Sequence, residues 1–502
     1  MKDVNRSNGP APAAELDWAP ERAAEFGAAA LDVWTDWLGQ LRDLPVARRE
    51  TAPDVARALA MEVPEEPLPD DEILEHVRRL MVEHSVQVGH PGFMGYITGA
   101  GTVPGAAADL LAAAVNQNVG GYVVSPGATE IEVALTTWLA RRFGLPEGAI
   151  GLLVTGGSIA TFVALKVARD AACDWESRAA GVRDVPPLAI YRSTEAHLAA
   201  DRGWDMLGEG TRLVRHVDVD DRYAMRLDAL RRAVEHDRAA GIRPAAVIAT
   251  AGTSAMGAID PIADIATFCQ REGIWLHVDA AYGGATRLSD DLSPLLDGVE
   301  GADSVTFDPH KWLYTPQSGG CVLVRDHALL ERSFGADASF LRQDRELTGR
   351  GVDFGSLGPA VSRGFWALKV WVSLLAHGRR AYARRIEHDV ELARYLWTRA
   401  DERPEFEALF QSLSIACFRY VPEDLDDSPE TREYVDRLNE RLMHEMQLDG
   451  RVFVSNALLR EGYALRACIV NYRTEAEDCD AVLDVAAELG ARLDHEARAA
   501  AA

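Results

Sequence analysis

A lysine set among apolar side chains is the first residue whose surroundings suggest chemistry. Lys311 follows His310 within residues 304–314, which are largely apolar on both sides of this pair. Burial disfavours the ammonium form of lysine, so this setting predicts a lowered pKa and an amine that forms a Schiff base with a carbonyl compound. For a lysine taken alone, the more common arrangement is a strand-end side chain with its charged group in water.

An aspartate upstream offers a partner for such a lysine. Residues 274–284 indicate a buried parallel strand that ends at Asp279 and is followed by small residues and two glycines. A carboxylate at the carboxyl end of such a strand points into the crevice where α/β proteins bind ligands. Taken alone, Asp279 is more often a cap of the next segment. Beside a Schiff-base lysine, it would hold a pyridine nitrogen protonated, which makes the ring an electron sink.

Two motifs in this region resemble those of a known enzyme family. Asp308-Pro-His-Lys-Trp312 and His277-Val-Asp-Ala-Ala-Tyr-Gly-Gly284 are similar to motifs of the pyridoxal-phosphate-dependent group II amino-acid decarboxylases, especially the aromatic-amino-acid branch. The resemblance runs from about residue 71 to about residue 483. It implies that pyridoxal 5'-phosphate is the cofactor, that Lys311 carries it and that Asp279 pairs with its ring nitrogen. It also implies that Asp308 and His310 flank the lysine and tune its surroundings.

A glycine turn between a strand and a helix predicts an anion site. Residues 151–154 are apolar, Gly156, Gly157 and Ser158 follow, and helical spacing begins at Ile159. Backbone N–H groups and the positive end of a helix face a phosphate at such a turn. The turn matches neither the Walker pattern nor GxGxxG, so it does not predict a nucleotide. The family resemblance assigns the cofactor phosphate to Gly157 and Ser158.

The resemblance adds three further contacts to the cofactor. His197 matches the histidine that stacks on the pyridine ring, although a lone histidine is more often a surface or core residue. Ala281 is expected on the opposite face of the ring. Thr250 ends another buried strand and matches a residue that lines the cofactor site.

Alternating strands and helices over residues 150–325 predict a parallel sheet with right-handed crossovers. We therefore expect an α/β fold of the fold-type I class of pyridoxal-phosphate enzymes, with a mostly parallel sheet flanked by helices. The predicted domains are an N-terminal helical segment and linker over 1–85, a large cofactor-binding domain over 86–384 and a small α+β domain over 385–502.

Composition excludes several classes of partner. The net charge of −26 argues against nucleic acid and against an anionic membrane surface. The longest apolar run, near residues 106–115, is too short to span a bilayer. Six scattered cysteines without a CxxC pair indicate neither a metal site nor a disulfide framework. With an N-terminus that lacks an apolar signal core, these features favour the cytoplasm.

The N-terminal helix suggests a dimer. Trp34, Trp37, Leu38 and Leu41 fall on one helical stripe, which needs a partner surface. Packing on the chain's own core is one interpretation. In the resembled family, N-terminal helices swap between subunits, so the resemblance implies a homodimer.

Residues 90–101 resemble the substrate side of the family's active site. Tyr96 matches an active-site aromatic residue, although a core tyrosine is an equal alternative, and Val88 stands where the branch often has tryptophan. No carboxylate-binding arginine stands out near Tyr96, which favours a hydrophobic substrate, aromatic or branched aliphatic, over an acidic one. Arg466 and Arg473 cannot be assigned to substrate from sequence.

One position departs from the aromatic-amino-acid branch. The family's spacing puts Phe340, within the glycine-rich segment 334–358, where that branch has a loop tyrosine that protonates the α-carbon. No tyrosine occurs between Tyr314 and Tyr382, so a shift of register does not restore it. Phenylalanine has no proton to give. The main expectation is α-decarboxylation to an amine, with protonation by His310, His197, water or a partner's loop. The alternative is oxidation to an aldehyde, as relatives with this replacement do.

Two other functions are weaker alternatives. A protein of the same fold with only a binding or regulatory role would not need every cofactor contact type that this chain retains. A transaminase is disfavoured by the Asp-Pro-His-Lys context around Lys311.

Overall fold

A mostly parallel sheet lies at the centre of the large α/β part of the chain. The computed structural model describes residues 16–335, 351–426 and 428–501. The strands of this sheet are β1 (Ile150–Val154), β2 (Leu188–Ser193), β3 (Val214–Val217), β4 (Arg243–Thr250), β5 (Trp275–Asp279), β6 (Ser304–Phe307) and β7 (Gly320–Val324). Within the described ranges they form a seven-stranded sheet in the order β1-β7-β6-β5-β4-β2-β3.

Strand direction brings one set of strand ends together. The pairs β2–β3, β2–β4, β4–β5 and β5–β6 are parallel, whereas β7 is antiparallel to β1 and β6. Every residue of β1, β2, β6 and β7 is buried, as in sheets covered on both faces. The carboxyl ends of β1, β4, β5 and β6 therefore meet at one edge, the usual ligand edge of such sheets. The α/β fold predicted from the sequence is confirmed.

Helices cover the sheet and also lie before and after it along the described chain. They are α1 (Pro20–Gln40), α2 (Ala52–Ala58), α3 (Asp70–Glu83), α4 (Val103–Val115), α5 (Pro126–Arg142), α6 (Gly157–Ala172), α7 (Ser177–Ala180), α8 (Ala199–Met206), α9 (Leu227–Ala239), α10 (Ile262–Glu272), α11 (Ala328–Phe334), α12 (Ala367–Asp401), α13 (Pro429–Asp449) and α14 (Ala476–Ala501). Among them, α6 begins directly after β1, so its N-terminus lies at the ligand edge of the sheet.

A smaller antiparallel sheet forms the C-terminal α+β part. Its strands are β8 (Phe406–Ser412), β9 (Ile415–Tyr420), β10 (Ser455–Leu459) and β11 (Gly462–Cys468), in the order β10-β11-β9-β8. Before β10, Phe453 forms an isolated bridge with Phe93. The apolar pattern of 452–454 therefore reflects contact with the segment before Tyr96, and β10 starts only at Ser455.

The predicted domain boundary at 384/385 falls inside a continuous helix. Helix α12 runs through residue 385, and its non-helical residue, Gly378, has a φ of 71°. The division at 384/385 stays a prediction. At the N-terminus the expected helix is confirmed as α1, and part of its tryptophan stripe contacts the same chain, since Trp37 Nε1 donates to Gln87 Oε1 over 2.8 Å and Leu41 is buried. In the described ranges, no helix combines the length and apolar character required to cross a bilayer.

Candidate active site

A cavity of about 330 Å³ opens where β1, β4, β5 and β6 end, and we call it the strand-end cavity. This volume is at the lower end of the range of roughly 300–1,000 Å³ for small-molecule sites. All the residues that the sequence assigns to the cofactor line it: Gly157, Ser158, His197, Thr250, Asp279, Ala281, Asp308, His310 and Lys311. The fold thus brings together segments that are far apart in sequence, while the individual roles stay predictions.

Lys311 lies in the turn after β6, with its side chain 21% exposed. Its Nζ atom is 3.0 Å from Asp308 Oδ2. Burial acts to lower the pKa of Lys311, but the carboxylates of Asp308 and Asp279 outweigh burial, and the pKa is raised. The lowered pKa expected from the sequence is therefore wrong. The apolar neighbours of Lys311 are visible in the sequence, whereas the distance from its amine to the two carboxylates is set by the fold.

The turn that carries Lys311 is held by a buried carboxylate on α12. Asp389 Oδ2 accepts hydrogen bonds from Trp312 Nε1 at 2.8 Å and from the Tyr314 hydroxyl at 2.6 Å. Arg385 Nε donates to Asp389 Oδ1 over 2.9 Å. Burial raises the pKa of Asp389 to about 6, although Arg385 opposes this shift. Sequence reasoning missed Asp389, because a lone aspartate inside a helix gives no signal of its role.

Asp279 and Thr250 end neighbouring parallel strands and face each other in register. The backbone N–H of Ala281 donates to Asp279 Oδ1 over 3.1 Å. Thr250 is fixed through its backbone N–H, which donates to Asp260 Oδ2 over 2.7 Å, and burial raises the pKa of Asp260 to about 7. The buried hydroxyl of Thr250 has no hydrogen-bond partner among the described residues. It is therefore available to a ligand in the strand-end cavity.

The turn at Gly157 and Ser158 begins α6 and has no room for a larger first residue. A β-carbon built on Gly157 would lie 2.6 Å from Asp308 Oδ2. Glycine at this position therefore permits the close approach of the Asp308 turn to the helix start. The backbone N–H groups of Gly157 and Ser158 and the Ser158 hydroxyl are the expected donors to an anion.

Two histidines line the strand-end cavity with defined hydrogen bonds. The backbone N–H of Ala199 donates to His197 Nδ1 over 3.2 Å, so the neutral ring carries its proton on Nε2. Loss of hydration lowers the pKa of His197, and Asp279 only partly offsets this effect. His310 Nδ1 is 2.7 Å from the carbonyl oxygen of Gly319, to which it donates, and His310 Nε2 is 3.9 Å from Asp308 Oδ2. A neutral His197 suits contact with an aromatic ring face.

The predicted substrate residues Tyr96 and Val88 lie outside the lining of the strand-end cavity. Val88 packs against a small cluster that includes Phe93 and Phe453. Tyr96 is 62% exposed and has a φ of 54°, an uncommon backbone conformation for tyrosine. Its segment nevertheless reaches the lysine turn, because the N–H of Gly99 donates to the His310 carbonyl over 3.4 Å. Phe340, the third predicted substrate residue, lies outside the described residues.

Arg466, which could not be assigned from the sequence, lies beside the backbone of Tyr96. It is buried on β11, and Nη1 donates to the Tyr96 carbonyl oxygen and to Ser455 Oγ, each over 3.0 Å. Nε donates over 2.8 Å to the carbonyl oxygen of Ala255, the neighbour of the cavity residue Ser254. Nη2 has no partner in the described part of the chain. The sequence placed Arg466 on a C-terminal strand but gave no information about the distant segment it contacts.

A wider polar cleft of about 1700 Å³ lies at the opposite edge, where β4 and β5 begin. Arginines of this cleft already have partners: Arg238 forms an ion pair with Glu272, and Arg243 donates a hydrogen bond to the Ala172 carbonyl. The described lining contains neither lysine nor histidine, so the predicted amine chemistry belongs to the strand-end cavity. Over the described ranges, His, Cys, Asp and Glu side chains form no group of three placed to hold a metal ion.

Comparison with known protein families agrees with this geometry. Residues 53–421 match the model of the pyridoxal-dependent decarboxylase conserved domain. The chain belongs to the pyridoxal-dependent decarboxylase family. It is a carboxy-lyase that uses pyridoxal phosphate, and its small-molecule substrate is an amino acid.

Relatives of this decarboxylase differ in their named activities. The aromatic-L-amino-acid decarboxylase of Bacillus atrophaeus is 31% identical over 464 residues, 92% of this chain and 94% of that protein. The phenylacetaldehyde synthase of a Rosa hybrid cultivar is 28% identical over 468 residues, 91% of each chain. The crystal structure of mouse cysteine sulfinic acid decarboxylase in apo form matches with a TM-score of 0.88 and 28% identity, over 94% of this chain and 99% of that chain. The family and the fold-type I architecture are therefore established.

The residues of this decarboxylase fit pyridoxal phosphate. Gly157 and Ser158 would hold the phosphate, and Lys311 is the amine that would hold the carbonyl carbon. The unpartnered Thr250 hydroxyl and Asp308 Oδ1 are buried polar atoms that a polar ligand would satisfy. When bound, the cofactor supplies a carbonyl group that captures amines and a ring that accepts the electron pair released with carbon dioxide. Asp279 would keep the ring nitrogen protonated.

Proposed function

We propose that this decarboxylase removes the α-carboxyl group of a hydrophobic L-amino acid, aromatic or branched aliphatic, and releases carbon dioxide and the corresponding amine. The convergence of Lys311, Asp279 and Asp308 in one cavity carries this proposal. An amine flanked by two carboxylates at the ligand edge suits a carbonyl cofactor that must hold a protonated ring nitrogen.

Each cavity residue has a separate role in the proposal. Lys311 holds the cofactor, and Asp279 keeps its ring nitrogen protonated so that electrons from the α-carbon are stabilised. His197 and Ala281 contact opposite faces of the ring. His310 lies beside the lysine, where a proton is needed after carbon dioxide leaves. Thr250 supplies a hydroxyl at the strand end beside Asp279.

The supply of cations near the cavity supports a substrate with one carboxylate. Three N–H groups of Arg466 donate hydrogen bonds to Ala255, Tyr96 and Ser455. Among the described residues only Nη2 is left without an acceptor. The described lining of the strand-end cavity contains no arginine. Lys311 is the one lysine or arginine of that described lining, so an acidic side chain would meet no second cation there. The segment of Tyr96 and Ile97 contacts the lysine turn through Gly99, and its apolar side chains favour a hydrophobic substrate.

Aldehyde formation is the second candidate. No tyrosine occurs between Tyr314 and Tyr382, and one relative is named as a phenylacetaldehyde synthase. Without a phenolic proton at position 340, the carbanion-like α-carbon would survive long enough to meet oxygen. One amino acid, one dioxygen and one water would then give the aldehyde, carbon dioxide, ammonia and hydrogen peroxide. His310 or His197 would prevent this outcome by donating a proton first.

A panel of L-amino acids tests both candidates when amine, aldehyde and peroxide are measured in the same reactions. We expect turnover of aromatic or branched aliphatic amino acids, with amine as the main product and little peroxide. Turnover of cysteine sulfinate or glutamate alone would contradict the proposed substrate class. Aldehyde, ammonia and peroxide in equal amounts would establish the second candidate.

Phe340→Tyr separates the two explanations of the product. If the wild type forms aldehyde, the added hydroxyl should shift products towards amine and reduce peroxide. If the wild type forms aldehyde and the variant does the same, Phe340 does not face the α-carbon, and Phe354→Tyr is the matched second variant. Phe354 belongs to the same glycine-rich segment, 334–358, and is fully buried.

We also propose a homodimer in the cytoplasm. Exposed apolar side chains on α4, such as Leu110, Leu111 and Val115, support a second copy of the chain as the partner. All six cysteines are free and buried, which suits a reducing compartment.

A further inference from the structure

The carboxylate of Asp308 lies at the helix start that the proposed function assigns to a phosphate. Asp308 is 2% exposed, and its Oδ2 atom would lie 2.6 Å from a β-carbon on Gly157, the first residue of α6. N–H groups in the first turn of a helix have no partner within the helix and attract anions. The chain therefore already places one negative group where a phosphate is expected.

The second oxygen of this carboxylate lacks a donor. Asp308 Oδ2 is 3.0 Å from Lys311 Nζ, but Asp308 Oδ1 has no hydrogen-bond partner among the described residues. A buried carboxylate oxygen without a donor is costly, so a ligand in the cavity is expected to supply one. A fully ionised phosphate offers only acceptor oxygens. Two acceptors that face each other repel, unless a proton lies between them.

The charges around the strand-end cavity favour a bound proton between Asp308 and the phosphate. Its described lining contains two carboxylates, Asp279 and Asp308, and one lysine, Lys311, with no arginine. A phosphate monoester adds close to two negative charges at neutral pH, and its second pKa is about 6. Even with a protonated ring nitrogen, negative groups exceed positive ones. Uptake of one proton reduces this excess.

We propose that the pocket binds the phosphate of its cofactor together with one additional proton, which Asp308 and the phosphate share in a hydrogen bond. This inference rests on the proposed placement of the phosphate at Gly157 and Ser158. The shared proton gives Asp308 Oδ1 its missing partner and removes the repulsion between two anions. Affinity for a phosphorylated ligand therefore falls as pH rises, by about tenfold per pH unit above the second pKa of the phosphate.

Other titratable groups face Asp308 and must be separated from it. They are Lys311 and His310 in its own turn, His197 after β2, Cys321 on β7 and, beyond Lys311, Asp279 on β5. The start of α6 presents only Gly157 and Ser158, which do not titrate. Asp308→Asn makes the separation, because its amide N–H donates to phosphate without taking up a proton. Proton uptake by a histidine would persist in this variant.

Titration calorimetry with pyridoxine 5'-phosphate tests the inference on the full chain freed of cofactor. This ligand has no carbonyl group, so it reports phosphate binding without covalent capture by Lys311. Between pH 6.5 and 8.5 we expect the wild-type Kd to rise about tenfold per pH unit. Two buffers of different ionisation enthalpy should show uptake of close to one proton near pH 8. Asp308→Asn should bind more tightly at pH 8.5, with little dependence of Kd on pH.

Two controls isolate the phosphate contact. Ser158→Ala should weaken binding of pyridoxine 5'-phosphate equally at every pH and leave the slope unchanged. Unphosphorylated pyridoxine should bind without this slope to both the wild type and Asp308→Asn. Equal slopes in the wild type and Asp308→Asn, or a flat wild-type profile, would overturn the inference. If the Asn variant does not fold, equal proton uptake by the wild type with pyridoxine and pyridoxine 5'-phosphate would overturn it.

The pH dependence of ligand binding and the products of turnover test this inference and the proposed function separately. A proton-linked slope in a protein that decarboxylates no hydrophobic amino acid would overturn the proposed substrate and retain the inference. Amine formation together with a flat slope would overturn the inference alone.

Discussion

At the scale of single residues, charge rather than burial sets the state of the key amine. Asp308 and Asp279 raise the pKa of Lys311 against the effect of burial, so the free lysine is an ammonium ion at neutral pH. It must lose a proton before it captures a carbonyl group. The pocket thus holds the amine as a cation, with a carboxylate oxygen of Asp308 3.0 Å from Nζ.

Lys311 is predicted to be the residue that carries the cofactor. Reduction of the loaded protein with borohydride should fix the cofactor to one peptide, residues around 311, when the digest is mapped by mass spectrometry. Lys166 is a matched control within the described chain, since its ammonium group is already bound by Asp170 and the Ser333 carbonyl. Label on any lysine other than Lys311 would reject the assignment.

Asp279→Asn is expected to keep cofactor binding and to lower kcat by about 10²–10³-fold, the usual scale for loss of one preorganised electrostatic contact. Asparagine keeps the size of the side chain but loses the charge that holds a ring nitrogen protonated. Steady-state kinetics and cofactor absorbance on the same preparation measure the two effects separately. A near-normal kcat would mean that Asp279 only accepts the Ala281 N–H.

Residues of the site that lie at strand ends could be predicted from the sequence, because each lies within or directly after a recognisable apolar strand. Gly157, Thr250, Asp279 and Lys311 are such residues, and they all line one cavity. Contacts between distant segments could not be predicted. Asp389 is 77 positions from Trp312, and neither residue carries a motif that names the other.

At the scale of elements, α12 serves as the support of the lysine turn. It crosses from the large sheet to the C-terminal part, and its Asp389 accepts from Trp312 and Tyr314, which follow Lys311 directly along the chain. The same α12 region also holds the segment after β11, because Arg385 donates to the carbonyls of residues 471 and 474. One buried carboxylate and one arginine therefore join the lysine turn, α12 and the C-terminal part.

Asp389→Ala is predicted to destabilise the fold by about 3–5 kcal/mol, because it leaves a buried charge and buried donors without their acceptor. It should also weaken cofactor retention, since the turn of Lys311 loses its anchor. Urea unfolding and release of bound cofactor on dilution measure these effects. Asp389→Asn is the matched control, because its amide oxygen still accepts a hydrogen bond and its losses should be smaller.

The wild type and Asp389→Asn should also differ in how their stability depends on pH. Burial raises the pKa of Asp389 to about 6 from an ordinary value of 3.8. The folded chain thus holds this proton more tightly than the unfolded chain, so the wild type should lose stability as pH rises from about 4 to 6. Asp389→Asn should lack this component. The difference in thermal midpoint, wild type minus Asn, should therefore fall over this interval, and a constant difference would contradict the raised pKa.

At the scale of the whole molecule, the helices of the N-terminal region bury too little surface within one chain to be stable without further packing. No residue of α1 or α3 is buried, and isolated helices are marginal in water without tertiary packing. On α4, Leu111 and Val115 are 61% and 59% exposed, four positions apart and hence on one helical face. Apolar surfaces of this kind mark an interface. A second copy of the chain, related by two-fold symmetry, would cover both regions.

The last prediction is that the active species is a dimer of twice 54.7 kDa. Light scattering under assay conditions should give this mass for the wild type. Leu111→Asp combined with Val115→Asp should lower the mass towards one chain and reduce activity, because charge on the α4 face opposes burial there. Leu458→Asp, at a site 72% exposed on β10, is the matched control and should change neither. A fully active wild-type monomer would reject the dimer, whereas a dimer unaffected by the α4 changes would move the interface to another face of the chain.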